Sequence, residues 1–184
     1  MVENKGGDRM DGTSDFLELC TRVAQQRLPY WDELPDLELY MDQVLSLMER
    51  YLGSYPGFDR KGLTASMVNN YVKLGVMPPP VKKKYTRTHL AHLIVICVLK
   101  PCLPIDSIKN MIASSARTEE TDGAGYDQFC ALFEETVRDA AGDASEQVKA
   151  AQGRLAVPVY RAALRAQAEQ ALSRKLYEAA FEGV

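Results

Sequence analysis

LTASMVNNYVKLGVMPPPVKKKYT, residues 63–86, decides how this chain reads. Thr64 stands in an N-cap position, where a hydroxyl accepts one of the N–H groups that a first helical turn leaves unpaired. Gly75 stands where a helix stops, because glycine enters the left-handed conformation of a C-terminal cap at little cost. Between them, at about 100° per residue, Met67, Val68, Tyr71, Val72 and Leu74 fill one half of the wheel. Ser66, Asn69, Asn70 and Lys73 fill the other half. The predicted element is a short helix with an apolar back and a front of hydroxyl, amide and amine groups. Pro78, Pro79 and Pro80 cannot continue it and favour extended backbone. Residues 81–85 then read as a short strand or wing.

Working outward, Thr86 caps a third helix, RTHLAHLIVICVLK, which is apolar nearly all round and therefore central. Pro101 breaks it, and Pro104 suits the first turn of a fourth helix, PIDSIKNMI. Upstream, residues 36–52 carry Leu37, Met41, Val44, Met48 and Tyr51 on one stripe, with Asp36 as N-cap and Gly53 as stop. LPYWDELP before them is an aromatic arm that packs Tyr30 and Trp31 onto the domain. The first dozen residues read as a flexible tail. Residues 113–125 are small and polar and read as a linker. Alanine-rich helices follow, about 126–141 and 156–181, with Leu164, Ala168, Leu172 and Leu176 at four-residue spacing. The expected architecture is all-α, mostly helical: tail and arm over 1–27, a winged helix-turn-helix over 28–113, and a helical segment over 114–184 for dimerisation or partner binding.

The net charge of −3 conceals an asymmetry. Residues 60–110 hold nine Lys or Arg against one acid, Asp106, while residues 1–59 hold five against twelve and residues 111–184 eight against twelve. A basic block between acidic flanks is a local electrostatic footprint. A helix in the major groove presents Asn and Ser to base edges and Lys to phosphate or guanine. The lysine-rich segment would grip the flanking backbone through counterion release, without reading sequence. The candidate contacts are Thr64, Ser66, Asn69, Asn70, Lys73, Lys82, Lys83, Lys84, Tyr85 and Arg87, with Asn69 and Asn70 placed for base discrimination.

These residues resemble a known pattern. LTASMVNNYVKLGVMPPP is similar to the surroundings of the recognition helix in MerR-like regulators, whose helix ends in a Tyr, a Gly, two hydrophobics and prolines. KKKYT stands in the place of their wing, and LPIDSIKNMI resembles their fourth helix. Over roughly residues 28–113, LYMDQV and NNYVK resemble a bacterial domain-of-unknown-function family more closely still. The resemblance implies a MerR-like winged helix and a role in transcription. The chain departs from the regulators in its eleven-residue loop after the first helix and in Asn69, which replaces a basic residue.

Other chemistries find little footing. GxSxG, P-loop, GxGxxG and HExxH motifs are missing, so no catalytic residue is expected. His89 and His92, the two histidines, lack a nearby third ligand, and no metal or cofactor is expected. The four cysteines form no CxxC pair and read as reduced core thiols. With no membrane-length apolar run and no signal-peptide core, the expected location is cytoplasmic. The expected partner is double-stranded DNA, bound as a homodimer, because one short helix reads few bases; any small-molecule effector is unknown. The competing reading is a protein–protein interaction module whose basic wing docks an acidic partner.

Overall fold

The computed structural model describes residues 12–55, 58, 62–115, 122–152 and 154–182. The expected tail, residues 1–11, and the middle of the expected linker, residues 116–121, lie outside the described residues. Seven α-helices carry the described chain: α1 Gly12–Ala24, α2 Met41–Leu52, α3 Ala65–Lys73, α4 Arg87–Leu99, α5 Ile105–Ser115, α6 Asp122–Ala150 and α7 Ala156–Tyr177. A 3-10 turn, Trp31–Glu33, lies between α1 and α2, and a π turn, Glu178–Glu182, follows α7.

α4 is the centre, as its all-round apolarity requires. Leu90, Leu93, Ile94 and Ile96 are fully buried, and the helix packs against α2, α5 and α6. α2 adds Val44, Met48 and Leu52, α3 adds Val68 and Tyr71, and α5 adds Ile108. Each such large apolar side chain is worth about 2 kcal/mol on burial. Thr86 caps α4 with a partner that sequence spacing did not suggest. His89 Nδ1 accepts from the Thr86 backbone N–H at 3.0 Å, where a capping box usually places Glu or Gln.

Three segments differ from expectation. α2 begins at Met41, five residues after Asp36, because Leu39 pairs with Tyr85 through two backbone hydrogen bonds of 2.8 Å. That pairing holds the chain before Met41 extended and leaves Leu37 exposed. Residues 12–24, expected within the tail and arm, form α1, which docks on α6 and buries Cys20. α6 begins at Asp122, inside the expected linker, and runs 29 residues.

The arm explains that early start. Its Leu28 and Leu34 are buried, and it is clipped to the first turns of α6. Trp31 N donates to Asp127 Oδ1 at 2.6 Å, and Tyr126 Oη donates to the Pro29 carbonyl at 2.8 Å. The Trp31 ring covers Gly123 so closely that a Cβ there would sit 2.8 Å from the indole. α7 returns from the far end of α6 and reaches α5, where Asn110 Nδ2 donates to Tyr177 Oη at 2.7 Å.

Candidate nucleic-acid interface

The first half of the candidate surface is the front of α3. Thr64 Oγ1 accepts from Met67 N at 3.3 Å, capping the helix. Val68 and Tyr71 are buried behind it, so Ser66, Asn69, Asn70 and Lys73 face solvent. None of these four makes a side-chain hydrogen bond or ion pair among the described residues. The hydrophobic back ends sooner than its pattern suggested, because Leu74 is exposed.

Two lysines hold the C-terminal end of this helix. Lys109 Nζ donates to the Leu74 carbonyl at 2.9 Å, which neutralises part of the negative helix end. Lys100 Nζ donates to Tyr71 Oη at 3.1 Å and lies over its ring. Both belong to the basic block, yet their position against α3 was invisible in one dimension. Gly75 follows at φ +68°, the left-handed region that favours glycine.

The second half is the segment expected as a strand or wing, which among the described residues forms isolated bridges and no strand. Val81 pairs with Lys84, and Lys84 N donates to the Val81 carbonyl at 2.9 Å. This leaves Lys82 and Lys83 as a two-residue turn, both at positive φ, +50° and +64°. Positive φ at both central positions marks a type I′ hairpin turn, which strongly prefers Asn-Gly or Asp-Gly. Here two lysines occupy it, exposed and without an ion pair among the described residues.

The remaining candidates are placed differently. Lys84 is half-buried and donates to Glu38 Oε2 at 2.7 Å, so the arm side already neutralises it. Tyr85 is buried; its backbone pairs with Leu39 and its ring meets His89 edge-on at 5.4 Å. Arg87 is largely enclosed, stacked over Trp31 and paired with Asp32 at 3.4 Å and Asp36 at 3.9 Å. It ties the arm to α4. The structure therefore groups Thr64, Ser66, Asn69, Asn70 and Lys73 on one helix and Lys82 with Lys83 on one turn. Tyr85 and Arg87 belong to the framework behind them.

Burial lowers the pKa of His89, opposed by the nearby carbonyls of Pro79 and Pro78, neither of which is in hydrogen-bonding geometry with Nε2. The neutral ring is also what the Thr86 cap demands, since a protonated Nδ1 cannot accept. Burial pushes the Cys97 thiol up to about 12 and the Cys130 thiol up to about 11, so both are poor nucleophiles. Among the described residues no group of three or more His, Cys, Asp or Glu could hold a metal ion. No helix among them is long and apolar enough to cross a membrane.

The family described as a domain of unknown function (DUF1836) matches residues 29–135 of the 184-residue chain. The match takes in the arm, α2 to α5 with the wing, and the first half of α6. No curated protein matches the chain, and no solved structure matches it.

Proposed function

We propose that this chain, which belongs to the DUF1836 family, is a DNA-binding transcriptional regulator of bacterial type, built on a MerR-like winged helix-turn-helix. In this reading α3 enters the major groove, Asn69 and Asn70 meet base edges, and Ser66 and Lys73 add polar and phosphate contacts. Lys82 and Lys83 grip the flanking backbone. The protein acts by binding in the cytoplasm, as a homodimer on two half-sites.

The observation that carries the reading is the wing turn. Lysine is a poor choice for either left-handed position, at a cost of roughly 1 kcal/mol each. Among the described residues, the same turn carries positive charge without a partner and adjoins, through three prolines, a helix whose polar front also has none. Strained, exposed and cationic residues at a turn are explained by a polyanion better than by folding.

Fluorescence anisotropy of the protein against random-sequence duplex DNA across a salt series tests the proposal. Affinity should fall steeply with salt, with a log–log slope of about −0.9 for each phosphate neutralised. No binding even at low salt would favour the alternative, an interaction module that uses the basic wing on an acidic protein.

A further inference from the structure

α7 is the least explained element of the fold. It is 22 residues long, about 33 Å, and nearly all of it is exposed. Val157 is 56%, Tyr160 70% and Leu164 66% exposed, and Leu172 and Leu176 are equally open. Monomeric proteins rarely present such a run of large apolar groups without a use for it.

The run has an order. At about 100° per residue, Val157, Tyr160, Leu164, Ala168 and Ala171 lie within roughly 40° of the Leu164 direction. Arg161 and Gln167 border this seam, about 60° to either side. The seam steps by three, four, four and three, close to the knobs-into-holes period. The steps read the same in both directions from Leu164. The inner side of the helix is elsewhere. Pro158 and Tyr177 are buried and Ser173 half-buried, and all three point about 120–180° away from Leu164. Arg165, on the inward flank, pairs with Asp143 of α6. The seam therefore faces away from the other described residues.

We infer that this seam is a self-association surface, and that a second copy of this chain packs on it antiparallel, about a two-fold axis at Leu164. The symmetric spacing and the size pattern select that occupant. The N-terminal part of the seam is large, Val157 and Tyr160, and the C-terminal part is small, Ala168 and Ala171. Reversal about Leu164 sets Val157 level with the partner's Ala171 and Tyr160 level with the partner's Ala168, so large fills small. Parallel pairing sets large on large and leaves a gap between the alanines. None of these five positions is charged, and Lys175, the next residue on the same line, is paired with Glu178 at 2.5 Å.

The ends complete the fit. Between α6 and α7, near their connecting turn, lies an open cleft of about 460 Å³, lined by Ala150, Ala151, Val157 and Pro158 together with the polar Glu146, Gln147, Arg154 and Arg161. The same reversal brings the partner's Leu172 and the partner's Leu176 to this cleft, on the side of α7 where those leucines project. A standard interface draws about 20–30 residues from each partner, and the outward face of α7 with the cleft supplies roughly 15, a small interface on that scale. The inference stands on α7 alone and does not require that the protein bind DNA.

Sedimentation velocity on the full chain, with cross-linking, tests it. The wild type should sediment as a dimer, and Leu164→Glu, which sets two carboxylates face to face, should weaken the dimer by about 100-fold or more. Leu164 is exposed in the single chain, so the variant should keep the helical circular dichroism of the wild type. In a Cys102→Ser background, which removes the exposed native thiol, Leu164→Cys should oxidise to a disulfide-linked dimer. Val159→Cys, on the other side of α7, should not. A wild-type monomer at about 100 μM would overturn the inference. So would a dimer that Leu164→Glu leaves intact, or equal cross-linking at positions 159 and 164.

Discussion

Replacing the wing turn with the residues its backbone prefers should move stability and DNA binding in opposite directions. The perturbation is Lys82→Asn with Lys83→Gly, which keeps the hairpin bond from Lys84 N to the Val81 carbonyl. Both lysines sit at positive φ, and relief of that strain is worth about 1 kcal/mol at each position. Glycine returns roughly 0.5–1 kcal/mol through its freedom in the unfolded chain. The net gain is about 1 kcal/mol, or about 2–4 °C in Tm for a chain of this size. On the proposed reading, the same change also takes away two phosphate contacts. The slope of log affinity against log salt should become shallower by about 1.8. At about 0.1 M salt each lost contact costs about eightfold, so duplex affinity should fall about 60-fold. Calorimetry and a salt series of anisotropy titrations read the two effects on one preparation. An unchanged or lower Tm would refute the strain argument. An unchanged slope would remove Lys82 and Lys83 from the DNA surface.

Three further outcomes are expected. Asn69→Ala should reduce discrimination at one base pair by about 1–3 kcal/mol with the salt slope intact, and a uniform loss across sequences in a binding-site selection would contradict base reading. Gly123→Ala drives a Cβ to within 2.8 Å of the Trp31 indole, so the arm must shift; overpacking of that kind costs about 1–3 kcal/mol, and a urea midpoint equal to the wild type's would show that the arm yields freely. His89 has a lowered folded pKa, so the unfolded chain binds the extra proton and stability falls as pH drops below about 6.5 towards the folded value. His89→Gln keeps a capping-box acceptor without the titration, and its urea midpoint should vary less over that range than the wild type's.

Local signals sufficed around α3 and at the start of α4, though not at Asp36, where α2 starts five residues later. Thr64 and Thr86 cap the helices they precede, Gly75 adopts the left-handed conformation, and the front of α3 is the set of four polar residues that the wheel separates. These features depend on neighbours three or four positions away, which a sequence displays directly. α1 was not expected: residues 1–27 read as tail and arm, and although Phe16, Cys20 and Val23 step by four and three, a short helix of this kind needs its packing on α6.

What the sequence by itself determined, then, is the helical class, the polar front of α3 and the basic block that surrounds the wing. The tertiary structure decided which members of that block are free. Lys84, Arg87 and Lys100 carry the same charge as Lys82 and Lys83. The first two are taken by Glu38, Asp32 and Asp36, which lie 46 to 55 positions away, and Lys100 by the Tyr71 hydroxyl. It also turned Tyr85 inward, because its backbone pairs with Leu39. Charge is a property of a residue, but its availability depends on what the fold brings within about 4 Å, and such contacts leave no periodic trace in the chain.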